Sequence, residues 1–202
     1  MESIAGGGAV LDLGAVTIPL LAVEVFGRVC AIEVEIGAGK GRFALAWVEA
    51  HPEVGLLAVE RALPYLRVMA QRALRRGLGN LRAVHTSAED LLFRCLAPRS
   101  VQAVHVFFPD PWPKKRHLKR RFFRRENVAR LAEILQVGGL LRIKSDHGAY
   151  AEAIAGMLAA EPRLAPVALD EAFAGIPETN FEVKYVREER RVYRFAYRRV
   201  EG

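Results

Sequence analysis

The residues with the most chemistry to offer sit in one short run, FFPDPWPKKRHLKRR, at positions 107–121. Asp110 stands between Pro109 and Pro111, and the two rings narrow the backbone directions open to it. Trp112 follows, as a base-stacking group or as an anchor for the loop. Then come Lys114, Lys115, Arg116, His117, Lys119, Arg120 and Arg121; residues 114–125 hold eight Lys or Arg and no acid. A carboxylate held stiffly beside so many cations suits a reactive site to which an anionic polymer is brought, with its phosphates on the cations. A solvated basic loop is the plainer alternative.

A second group lies in VEIGAGKGRF, positions 34–43. Gly37, Gly39 and Gly41 have the spacing G-x-G-x-G. A dinucleotide loop, G-x-G-x-x-G, needs glycine at 42, where Arg42 stands. Glu35 at the mouth of the loop repels a pyrophosphate and attracts a cation. Glu60, nineteen residues past Gly41, can accept hydrogen bonds from two ribose hydroxyls. A nucleoside with a positive charge and no phosphate fits all three features, and S-adenosylmethionine is such a nucleoside. Ser87, in VHTSAED, stands where methyltransferases of such a fold commonly have an acid for the adenine amino group, and its hydroxyl can still accept that bond. Glu33 has no role that its position assigns.

These residues need a frame. From residue 31 onward, strand-like and helix-like segments alternate. Strands are predicted over 31–36, 56–59, 81–85, 101–108 and 140–145. Helices are predicted over 41–49, 64–76, 88–95, 122–136 and 147–160, with Pro64 tolerated in a first turn and Gly77 as a stop. The pattern over 192–198 alternates as a strand does and is expected to close one edge of the sheet. Alternating β and α units imply an α/β fold, a mostly parallel sheet with helices on both faces. Ligands then bind outside the carboxyl ends of the strands. Glu35, Glu60, Ser87, Asp110 and Asp146 all fall there, and four of the five are acids.

With EIGAGKG before it, KSDH after it and TNFE near the end, the PDPW segment makes the chain resemble the bacterial tRNA (guanine-N7-)-methyltransferase family over roughly residues 32–198. That resemblance implies a Rossmann-like class I S-adenosylmethionine-dependent methyltransferase fold over 31–202, with 1–30 poorly matched. It implies methyl transfer to N7 of a guanine in the variable loop of tRNA, and it places Asp110 in the active site and against the cofactor. It also gives Lys114, Asp146, Thr179, Asn180, Phe181 and Glu182 as substrate contacts. Guanine presents N1–H and an amino group, and a carboxylate such as Glu182 can accept both. Phe181 is equally readable as core. Arg116, His117, Lys119, Arg120 and Arg121 then face phosphates. N7 bears a lone pair and no proton, so Asp110 is expected to position and to stabilise charge, with no proton to take.

Composition agrees. The 202 residues suit one domain, 51% are hydrophobic, and the net charge of +7 favours a polyanionic partner. No Lys or Arg occurs in residues 1–27, where the family often carries a basic arm. Cys30 and Cys95, and the five histidines, show no ligand spacing, so no metal is expected. No apolar run reaches the ~20 residues of a membrane span, and a cytoplasmic protein is expected. Monomer and homodimer are both open. A non-catalytic RNA-binding protein that keeps this fold is the competing reading. A nicotinamide dehydrogenase is opposed by Arg42 and Glu35.

Overall fold

A computed structural model describes residues 8–201; residues 1–7, the first part of the poorly matched segment, lie outside the described residues. Eight strands form one sheet: β1 (Val10–Leu11), β2 (Ala31–Ile36), β3 (Val54–Val59), β4 (Leu81–Val84), β5 (Val101–Phe107), β6 (Leu135–Ser145), β7 (Leu164–Pro166) and β8 (Tyr193–Arg199). Their order is β1-β4-β3-β2-β5-β6-β8-β7. Strands β1 to β6 pair in parallel, and β8 runs antiparallel to both β6 and β7. Every residue of β3 is buried, as a parallel strand beneath two helix layers requires.

The helices are α1 (Ala22–Phe26), α2 (Arg42–Ala50), α3 (Leu63–Arg75), α4 (Ala88–Asp90), α5 (Arg125–Ile134), α6 (Gly148–Ala159), α7 (Leu169–Ala172) and α8 (Asn180–Arg187). One apolar layer joins Phe26, Val128, Leu131, Tyr150 and Ile154 to Ile32, Val34 and Ile143 of the sheet. The opposite layer joins Phe43, Trp47, Leu66, Met69 and Tyr185 to Leu56, Ala58 and Phe107. So α1, α5 and α6 cover one face, and α2, α3 and α8 the other. Strand order turns at β2, with β3 and β4 on one side and β5 and β6 on the other. The crevice for a ligand in such a sheet opens at that turning point.

The segment before β2 is built into this frame. Leu11, Leu20, Val25 and Phe26 are buried in the first layer. Phe26 lies flat against β3 because residue 55 is glycine; a Cβ there would stand 2.5 Å from the ring.

Four details depart from the expected elements. β8 does not close the edge: it lies between β6 and the short β7, whose Pro166 an edge strand tolerates. Only three residues of the expected helix over 88–95 are α-helical, and Leu91–Cys95 opens into a wider π turn that buries Leu91, Leu92 and Cys95. Arg130 meets the carbonyls of Leu92 and Leu96 at 2.8 and 2.6 Å. The helix expected over 122–136 starts at Arg125, because Phe123 turns inward and its N–H donates to the Tyr150 hydroxyl at 3.0 Å. It ends at Ile134, and β6 begins at once. Finally, the irregular tail contains β7, α7 and α8. Among the described residues no helix is long and apolar enough to cross a membrane.

Candidate active site

The glycine loop leaves β2 and enters α2. Gly37, Gly39 and Gly41 all have positive φ, at 80, 56 and 76°, a region where side chains are strained. Gly41 has a second reason to lack one: its Cβ would stand 2.4 Å from Met69 Cγ on α3. Glu60, just past β3, pins the loop. Its two oxygens accept from the Gly39 N–H at 2.8 Å and the Ala62 N–H at 2.7 Å. A carboxylate has further lone pairs to offer.

Glu35 points into the α2 side of β2 and is 4% exposed. Its Oε2 has no hydrogen-bond partner among the described residues. Burial, helped by the nearby Glu60 carboxylate, pushes its pKa up to about 8. A buried, under-satisfied carboxylate beside a second one is a seat for a cation with N–H donors.

Two pleat positions earlier, Glu33 is part of the scaffold. Trp47 Nε1 donates to its Oε2 at 2.8 Å, and His105 Nε2 lies 2.8 Å from the same oxygen. Burial acts to raise Glu33, but His105, Trp47 and the charge of Arg142 outweigh it and its pKa is lowered. Burial also lowers His105. The pair is therefore a carboxylate and a neutral imidazole donating from Nε2.

Ser87 sits at the carboxyl end of β4, where its Oγ accepts from the Asp90 N–H at 3.0 Å and caps α4. A hydroxyl oxygen has a second lone pair with which to accept.

Asp110 is exposed, in a loop fastened on both sides. Phe108 and Trp112 take positive φ, 55 and 39°, rare for side chains of that size. The Phe108 N–H donates to the Lys144 carbonyl at 2.8 Å, and Arg121 Nε donates to the Pro111 carbonyl at 2.7 Å. The Arg121 guanidinium also lies 4.6 Å over the Tyr150 ring. Trp112 takes Arg120 over its face at 5.0 Å and meets the His117 ring edge at 5.6 Å, so it anchors the loop. Residues Lys115–Arg120 make one short 3-10 helix with no buried side chain, which leaves Lys115, Arg116, Lys119 and Arg120 facing water, as is Lys114 before it.

Three chain segments meet at this loop. Phe108 packs on Phe181 at 5.9 Å and edge-on to Tyr185 at 5.3 Å, while Phe181 stacks on Tyr185 at 5.8 Å. Arg190 covers the Tyr185 ring at 4.8 Å and pairs with Asp146 at 3.0 Å. The Asp110 loop, Asp146 and residues 179–182 thus share one aromatic cluster. Phe181 is 49% exposed, which removes it from the core and leaves a ring face at the surface.

Residues 179–182 form a capping box that starts α8. The Thr179 N–H donates to Glu182 Oε2 at 3.0 Å, and the Glu182 N–H donates to Thr179 Oγ1 at 3.1 Å. Glu182 is buried, and both of its oxygens lie 2.8 Å from Nζ of Lys144. Burial acts to lower Lys144, and Glu182 opposes that. The carboxylate suited to a guanine edge is therefore engaged inside the protein, and Asn180 and Phe181 are the exposed members of the segment. Sequence reasoning did not single out Lys144, Tyr185 or Arg190. The T-x-x-E spacing was the available signal for a helix start at 179. Among the described residues no group of three or more His, Cys, Asp or Glu is placed to hold a metal ion.

A family model described as "Putative methyltransferase" matches residues 30–195. A tRNA (guanine-N(7)-)-methyltransferase of Nocardia farcinica is 43% identical over 160 residues, 79% of this chain and 59% of that protein. A protein of the same name from Mycobacterium avium is 42% identical over 165 residues, 79% of this chain and 62% of that protein. The chain thus spans about three-fifths of the length of these relatives. Among solved structures, one titled as an antibiotic-related methyltransferase superposes with a TM-score of 0.60 at 13% identity, over 93% of this chain and 98% of that one. The 16S rRNA methyltransferase KamB also gives 0.60, at 16% identity over 88% and 91%. At such identities the likeness is one of fold: the Rossmann-like class I methyltransferase fold.

Proposed function

The chain belongs to the methyltransferase family whose model covers residues 30–195, and from that membership we propose that it methylates N7 of a guanine in tRNA with S-adenosylmethionine. The relatives' names supply the substrate. The observation that carries the reading is the shared cluster of Phe108, Phe181 and Tyr185, which joins the Asp110 loop, Asp146 and an exposed aromatic face after β5 and β6.

The residues present fit the cofactor. Glu35, with its unpartnered buried oxygen, suits a cationic group; Glu60 has lone pairs left for ribose hydroxyls; the glycine loop lets a ligand approach the backbone. When bound, S-adenosylmethionine supplies a methyl group on a positively charged sulfur. The chain's own part is placement. Phe181 offers a face on which a base can stack. Asp110, held by its prolines and by Arg121, puts a fixed carboxylate where positive charge appears on the purine. Asp146 is held in the same cluster by Arg190. No group has to remove a proton, since N7 has none. Orientation of the lone pair toward the methyl group is the main source of rate. Thr179 and Glu182, locked with Lys144, hold Asn180 and Phe181 in position. The cations from Lys114 to Arg121 take phosphates.

The test uses unmodified tRNA and labelled S-adenosylmethionine. Digestion of the product is expected to yield 7-methylguanosine from one variable-loop position. Label in another base, or none with tRNA still bound, rejects the reading, and the second result favours a non-catalytic RNA-binding protein.

A further inference from the structure

Residues of α2, of the end of α3 and of the segment leading into α8 line an open cleft of about 490 Å³. Arg42, Arg72 and Arg76 line it, with Glu178 and Asn180 on the opposite wall. Three guanidiniums against one carboxylate make it strongly cationic. Arg72 of α3 and Arg76, the residue that ends that helix, are one turn apart and share a face. Arg42 is the first residue of α2.

Among the described residues, little of their hydrogen-bonding capacity is used inside the protein. Arg72 donates to the Lys40 carbonyl at 3.2 Å. Arg76 reaches Glu49 at 3.4 Å, and both side chains of that pair are about half exposed, so it contributes little. Each guanidinium has five N–H donors in a flat fork that matches phosphate oxygens two at a time. Most of them remain free to meet a ligand.

The position matters as much as the charge. Arg72 is tied to the glycine loop through the Lys40 carbonyl. Asn180 on the far wall precedes Phe181, the exposed aromatic of the site. The basic run of residues 114–121 follows β5 and lies on the other side of β2. A strand that delivers one base to Phe181 therefore has cations on both sides of that base.

We infer that this arginine-lined cleft grips the phosphodiester backbone of the RNA substrate next to the target nucleotide. The inference rests on the proposed methylation of RNA. It adds a second phosphate site, on α2 and α3, to the basic run beside Asp110.

The experiment measures binding of an unmodified tRNA transcript at several salt concentrations. It compares the wild type, the double variant Arg72→Gln with Arg76→Gln, and the double variant Arg72→Lys with Arg76→Lys. Loss of two phosphate contacts is expected to raise Kd about tenfold and to flatten the log–log salt slope by roughly 1.5–2. The lysine variant keeps most of the slope, since charge and not shape sets it. A far-UV circular dichroism spectrum and a urea midpoint like those of the wild type certify that the glutamine variant is folded. A glutamine variant with the wild-type slope overturns the inference. If the wild type binds tRNA but makes no 7-methylguanosine, the methylation reading falls, while a flattened slope still supports the cleft. If the wild type binds no tRNA, both fall.

Discussion

In the proposed function, Glu35 is the residue on which cofactor binding turns. An ordinary glutamate titrates near 4.5; burial, and then Glu60, lift this one to about 8. A cation seated beside it favours the ionised form. Binding of S-adenosylmethionine below pH 8 should therefore expel a proton, and affinity should rise from about pH 6 to pH 8 and then level off. Calorimetry at pH 7 in two buffers of different ionisation heat should read a release approaching one proton. Glu35→Gln should abolish it. The ligand-free protein has the opposite trend. Between about 4.5 and 8 the unfolded chain has already lost the proton that the folded chain keeps, so stability falls as pH rises. Arg120 and Arg121 differ in the same local way. Arg121 holds the Pro111 carbonyl and lies over Tyr150, whereas Arg120 lies over the Trp112 face. Steady-state kinetics should show Arg120→Gln raising KM for tRNA with kcat nearly constant. Arg121→Gln should lower kcat as well, because the Asp110 loop loses a tether.

At the scale of elements, α8 is joined to β6 by Lys144 and Glu182, which are 38 positions apart. Removing one partner strands a buried charge, at a cost of about 3–5 kcal/mol. Lys144→Met should lower the urea midpoint by that measure. Lys144→Met combined with Glu182→Leu should recover part of it, since no buried charge is then stranded, although the Thr179 N–H loses its acceptor. If the single and double variants unfold alike, the pair is not what holds α8. The strand β2 has a comparable division of labour. Ile32, Val34 and Ile36 face one core layer, and Glu33 and Glu35 face the other. Glu33 finds Trp47 and His105; Glu35 finds nothing on one oxygen. The difference marks Glu33 as a scaffold carboxylate and leaves one oxygen of Glu35 unpartnered among the described residues.

Across the whole molecule, the net charge of +7 is spread unevenly. The basic run after β5 and the arginines of α2 and α3 lie on either side of β2, where the strand order turns. Acids stand at the carboxyl ends of β2, β3, β5 and β6, along that same edge of the sheet. A polyanion is thus attracted at two flanks, while the crevice between favours cations. That division suits a substrate that offers phosphates to the surface and one base, with a cationic cofactor, to the interior.

Much of this was legible in the sequence because it depends on short-range rules. The glycine loop is local: three positive φ angles within five residues call for three glycines. The β and α alternation is local too, and it carries the acids to one end of the sheet whatever the side chains do next. The PDPW segment names its own stiffness through its prolines. Other features were settled only by packing. β8 became an inner strand because β7 pairs along its far side, which no pattern within 192–198 encodes. The helix over 122–136 lost its first turn to Phe123, whose burial against Tyr150 outweighed three helical residues. Glu182 looked free to read a base, and its engagement depends on Lys144 arriving from another strand. The arginine cleft likewise joins positions 42, 72, 76 and 180. Spacing along a chain constrains neighbours within a few residues; which distant charges meet is decided by how the layers close.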